Sequence, residues 1–165
     1  MMRHGLVSWI VLLSLAVMRP AQAAGQERAR VEPELRLDFI DVRSPQHGTV
    51  QLGGGAAVPL GYYARLGLIG AAGISGRGDG EHGSARADVL MRFLIDPFRE
   101  TRYGVSVGGG LTVRYEPNEG WREYLAIVVD LEMRPVRSVI PAVQLGLGGG
   151  VRIGVGLRHA QQGRR

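Results

Sequence analysis

Glu81-His82-Gly83-Ser84 places an acid, an imidazole and a hydroxyl within four residues. These are the side-chain types of nucleophilic acyl chemistry: an attacking oxygen, a base and a group that orients the base. Adjacency in sequence does not make that geometry, and the flanking glycines mark a solvated loop. Arg77-Gly78-Asp79 spells an adhesion tripeptide, a pattern too short to carry weight. Asp79 and Glu81 offer oxygens to calcium, short of the 6 to 8 ligands that ion takes. His47, His82 and His159 lack metal-ligand spacing, and His4 lies in the leader described below. The GGG runs at 53–55, 108–110 and 148–150 sit in or beside strands, not at helix starts, so they form no phosphate loop. No catalytic, cofactor or metal residue is assigned, and no enzyme activity is expected.

A different set of charges repeats with a period of two. Arg86, Asp88 and Arg92 share one parity, as do Arg122, Asp130 and Glu132, while Arg114 and Arg152 occupy the same parity of their own segments. Alternation of this kind puts side chains on one face of a β-strand. Residues 102–115, RYGVSVGGGLTVRY, show it over fourteen positions, with apolar, aromatic or Gly residues at every odd position. The even positions are small, polar or charged. At about 3.3 Å per residue, Tyr103 and Tyr115 stand ~40 Å apart along the strand. A tilt of about 40° brings this to ~30 Å, which matches an apolar band of about 25 Å with an aromatic girdle at each edge.

The rest of the chain supplies the partners. Strands are expected at 34–42, Thr49–Val58, Tyr62–Ser75, Ala85–Ile95 and Trp121–Arg134. Val139–Arg158 reads as two further strands joined at Gly148-Gly149-Gly150, giving eight, because single-chain bacterial barrels have even counts. The fold class is therefore all-β, an antiparallel up-and-down barrel. Between the strands lie RSPQHG, GRGDGEHGS and EPNEG, which with the GGG turn are expected at the outer end. PLG, DPFRET and RPVRS are expected at the inner end. GRGDGEHGS, 76–84, is the longest polar loop.

Ahead of the barrel, Arg3 and His4 precede an uncharged run, Leu6–Val17, and Ala21-Gln22-Ala23. This is the layout of a secretory signal peptide over 1–23. Its removal takes away Arg3 and Arg19 and lowers the net charge of +5 by two. A polar linker is expected at 24–33, the barrel at 34–159 and a polar tail at 160–165. There is no cysteine, so neither a disulfide frame nor a thiolate metal site exists. All twenty basic residues are Arg, which reads as a composition bias and not as nucleic-acid recognition.

Alternation alone serves a membrane barrel and a soluble one equally; the less apolar face separates them. Its middle is Gly104, Ser106, Gly108 and Gly110, with arginines near the ends. Small residues leave room for arginine heads to meet Asp88, Asp130 and Glu132 inside a narrow barrel. The expected interior is a plugged, ion-paired network of Arg86, Asp88, Arg92, Arg114, Arg122, Asp130, Glu132 and Arg152. Tyr62, Tyr103, Tyr115 and Trp121, at strand ends, are expected as interfacial anchors.

On these features, residues 34–158 resemble the small outer-membrane β-barrel proteins of Gram-negative bacteria, the eight-stranded OmpA- and OmpX-like barrels. The resemblance implies an outer-membrane location, contact with outer-membrane lipid, and insertion by the barrel insertion machinery. It implies a non-enzymatic protein, structural or interacting through its outer loops, with no nucleic acid and no known small-molecule ligand. Some such barrels are lipid A hydrolases, which would require His82 and Ser84. The alternative is a soluble periplasmic β-barrel binding an apolar ligand, with the two faces exchanged.

Overall fold

A computed structural model describes residues 31–43, 46–77, 80–96, 103–117 and 119–159. The signal-peptide and tail expectations, and most of the linker, lie outside these residues. Eight strands follow one another: β1 Glu32–Arg43, β2 Gln46–Leu60, β3 Ala64–Arg77, β4 Gly80–Leu94, β5 Gly104–Glu116, β6 Gly120–Glu132, β7 Val139–Leu147 and β8 Val151–His159. Each pairs antiparallel with the next, and β8 returns to pair with β1, from Glu34↔Arg158 to Asp41↔Val151. The sheet closes on itself, and the β6–β7 ladder, from Ile127↔Leu147 to Glu132↔Ala142, leaves the first part of β6 unpaired on that side.

The period-two pattern fixes which face points in. On β8, Val151, Ile153, Val155 and Leu157 are exposed while Arg152, Gly154, Gly156 and Arg158 are buried. On β1, Leu35, Leu37 and Phe39 point out, and Glu34, Arg36 and Asp38 point in. Every strand shows exposed Leu, Ile, Val or Phe side chains, and they form one continuous belt. An apolar patch on a soluble monomer rarely exceeds a few hundred Å². This belt runs round the whole barrel, and the interior is charged, so the soluble arrangement with an apolar cavity is reversed.

Two expectations about connections change. The stretch 76–84 is not a loop: β3 and β4 stay in register to Arg77↔Gly80, leaving only residues 78 and 79 between them. Apolar alternation fades there because outward residues beyond the belt need not be apolar, while backbone pairing continues. The same end carries only 44–45, 117–119 and 148–150. The opposite end has 61–63, 95–103 and 133–138, so the end expected to bear long outer loops has the shorter connections. β1 also starts at Glu32, inside the stretch read as linker.

Glycine is required where strands crowd. A Cβ at Gly110 would strike the carbonyl oxygen of Val89 across the β4–β5 ladder. One at Gly154 would overlap the Asp38 carboxylate and come within 3.0 Å of Arg36 Nη2. The small residues on the inner face thus hold space for the charged side chains described next.

Candidate functional site: the charged interior

The inner wall buries six arginines and six carboxylates among the described residues: Arg36, Arg86, Arg92, Arg114, Arg152 and Arg158 with Glu34, Asp38, Asp88, Glu116, Asp130 and Glu132. The numbers balance, as buried charge requires. Near the end where β1 begins, Glu34 on β1 accepts from Arg92 on β4 at 2.8 Å. Arg158 on β8 donates to Glu132 on β6 at 2.9 Å, and Arg65 on β3 donates to the same oxygen at 2.7 Å. Arg92 Nε lies 3.3 Å from Asp130. This cluster ties five strands, β1, β3, β4, β6 and β8, across the lumen.

Higher up, Asp38 takes Arg36 at 3.0 Å and Arg86 on its other oxygen. Asp88 accepts from Arg152 at 2.8 Å and from Thr112 at 2.9 Å, and the Arg86 Nε lies 3.1 Å from it as an ion pair. Gln144 on β7 bridges the groups: its carbonyl accepts from Arg36 and Arg152, and its amide nitrogen donates to Asp130. Towards the short-turn end, Arg114 pairs with Glu116 at 3.2 Å, donates to Gly149 O at 3.1 Å and lies 5.6 Å from the Tyr124 ring centroid. Two neutral pairs complete this level: Gln51 donates to Ser84 at 3.0 Å and Thr49 to Ser75 at 3.1 Å.

Seven of the eight charged residues singled out by parity (Arg86, Asp88, Arg92, Arg114, Asp130, Glu132 and Arg152) are buried in this lumen. Arg122 is not. It shares their parity, but it sits where β6 overhangs the rim, with 53% of its side chain exposed, and turns to Glu119 at 3.3 Å. Parity sets the direction of a side chain; only strand height decides whether a wall stands opposite it. Glu34, Arg36, Asp38, Glu116, Gln144 and Arg158 join the network without having been singled out. Their signal was present, since each alternates with an outward Leu, Phe, Tyr or Val.

An apolar cluster was not expected inside. Ile69, Leu90, Ala126 and Val128 pack together, each at most 2% exposed. They occupy inward parity on β3, β4 and β6, with Leu90 between the inward Asp88 and Arg92 on β4, so the apolar cluster adjoins the ionic network.

The four aromatics lie at the two ends. Tyr62, in the turn after β2, and Tyr103, before β5, are exposed at one end. Tyr115 and Trp121 meet at the other, their ring centroids 5.0 Å apart. As for a hydrolase, Ser84 is buried on β4, where it accepts the Gln51 amide, and His82 is half-buried two residues away. Among the described residues no group of three His, Cys, Asp or Glu is placed to hold a metal ion. No helix among them is long and apolar enough to cross a membrane.

No protein-family model matches the chain, and no curated protein matches it. Solved structures do. Neisserial surface protein A is similar with a TM-score of 0.59 at 9% identity, over 82% of this chain and 100% of that one. The outer membrane protein OprG from Pseudomonas aeruginosa is similar with a TM-score of 0.54 at 8% identity, over 81% of this chain and 97% of that one. A structure from the de novo design of transmembrane β-barrels gives 0.53 at 12% identity, over 81% and 97%. At such identities the likeness is one of fold. The chain has the fold of the eight-stranded transmembrane barrels.

Proposed function

We propose that this protein is a non-enzymatic structural barrel of the outer membrane, with a lumen closed by its own ion pairs. The observation that carries the reading is the pairing of an outward apolar belt with an inward, charge-balanced network. Such a belt is stable only against hydrocarbon. Eight strands enclose a lumen that side chains fill, and here guanidinium and carboxylate groups span it. Its partners are outer-membrane lipid around the belt and the insertion machinery during assembly. Tyr62, Tyr103, Tyr115 and Trp121 act as interfacial anchors, their rings between hydrocarbon and head groups. The short connections beyond β1, β3, β5 and β7 leave little surface for an adhesin-like role, so the structural alternative is favoured over interaction through outer loops.

The test is the outer-membrane fraction, extracted in mild detergent and run on a gel with and without boiling. A compact band that shifts on heating supports the reading, and the same protein in planar bilayers should pass no steady current. Recovery in the soluble periplasmic fraction with no heat shift would overturn it.

A further inference from the structure

Two side-chain bridges cross the lumen wall next to each other, both reaching β4. Asp38, Gln51, Gly73 and Ser84 stand opposite one another in one inward row of β1 to β4. The next inward row, nearer the end where β1 begins, is Arg36, Gly53, Ala71 and Arg86. Along the first row the Gln51 amide nitrogen donates to Ser84 Oγ at 3.0 Å, passing over Gly73. Arg86 runs between the rows to pair with Asp38 through Nη2, which brings its guanidinium beside Gln51.

The floor between the bridges is Gly53, Ala71 and Gly73, so it carries no side chain larger than a methyl. A Cβ at Gly53 would come within 2.8 Å of the Ala71 Cβ, and one at Gly73 would strike Val50 O, so the floor stays small. Arg36, opposite Gly53, leans the other way, to Gln144 on β7. Each bridge leaves one polar atom over. Gln51 Oε1, an acceptor, and Arg86 Nη1, a donor, are buried without a hydrogen-bond partner. Buried polar atoms of this kind are costly unless something meets them. Arg86 Nε, Arg92 Nε and Arg158 Nε also lack hydrogen bonds, but they lie 3.1, 3.3 and 3.8 Å from carboxylates that attract them. Gln51 Oε1 carries no charge and gains nothing of that sort.

We propose that a single buried water joins these two atoms, accepting from Arg86 Nη1 and donating to Gln51 Oε1. Two polar partners are enough to hold a buried water. One donor set against one acceptor selects a neutral occupant, since an anion would meet the Gln51 oxygen and a cation the guanidinium. The water carries the ionic lattice of Asp38, Arg86 and Asp88 into the neutral Gln51–Ser84 pair, making one hydrogen-bonded network of the two. The inference rests on a lumen closed by its own side chains but fails separately from it, because loss of the water leaves the heat-shifted band and the absence of current unchanged.

The experiment is a crystal structure of the full chain, grown in a lipid mesophase, at a resolution that shows ordered water. The expected result is a peak within about 2.7–3.2 Å of both atoms. Gln51→Leu removes the acceptor and should abolish the peak, and Ala71→Val should displace it by filling the floor. Wild-type crystals soaked in bromide should give no anomalous signal there. A wild type with no peak, or with Arg86 Nη1 donating directly to Gln51 Oε1, overturns the proposal. So does a peak that survives in Gln51→Leu, or a bromide signal, since an anion would then be the occupant.

Discussion

Two adjoining regions of the lumen are filled by opposite chemistry, and they meet on β4, where Leu90 lies between Asp88 and Arg92. In one, Arg36, Asp38, Arg86, Asp88 and Arg152 join through Gln144 into a hydrogen-bonded lattice. In the other, Ile69, Leu90, Ala126 and Val128 form a buried apolar cluster. Both regions are fully buried, so burial does not distinguish them. The difference lies in tolerance. An apolar contact loses roughly in proportion to the atoms removed. An ion-pair lattice loses little when both partners go and much when one goes, because a stranded charge remains. The lattice also joins strands that no backbone ladder connects, and the apolar cluster likewise brings β6 to β3 and β4.

The largest effect should come from stranding charge. Asp88→Ala leaves Arg152 and Thr112 without their shared acceptor and Arg86 without one of its two ion-pair partners, and is expected to cost about 3–5 kcal/mol. Urea unfolding in liposomes, followed by the heat-shifted band, measures it. The comparison sharpens in the double variant Asp88→Leu with Arg152→Met, which should recover most of that loss. Were it to unfold as easily as the single variant, the lattice would be more than a balance of charges.

Leu90→Ala, in the apolar region, is expected to cost roughly 2–4 kcal/mol by opening a cavity beside Val128. A loss well above that of Asp88→Ala would reverse the ranking of the two regions. On the outer face, Leu111→Arg in the middle of β5 should cost ~2–3 kcal/mol in a bilayer. In water-soluble surroundings the same change would be near neutral, so the assay separates lipid-facing from solvent-facing residues. Arg122→Ala should matter least, under ~1 kcal/mol, because its guanidinium is exposed to solvent at the rim.

Much of this was legible from alternation alone. The parity of β4, β5 and β8 assigns every inward and outward residue, and the Gly148–Gly150 turn separates β7 from β8 as its spacing implied. What alternation could not supply was height. It placed Arg122 in the lumen because nothing local tells that β7 ends six residues below Trp121's level on β6. It made a loop of 76–84 because glycine and polar residues there lacked an apolar face, although the backbone pairs to Arg77↔Gly80. It also treated inward parity as polar and so overlooked Ile69 and Val128. A lumen rewards volume as well as charge, and a methyl-rich side chain fills a gap that no arginine reaches.

The most direct test of the whole account is the direction in which two neighbouring residues point. The chain has no cysteine, so single-cysteine variants report cleanly. Val107 faces out on β5, and Ser106, 1% exposed, faces in against Asp130. In native membranes, Val107→Cys should react with a lipid-soluble maleimide and not with a water-soluble one, while Ser106→Cys reacts with neither. Labelling of Ser106→Cys by the lipid-soluble reagent, or of Val107→Cys by the water-soluble one, would mean that the faces are the other way round.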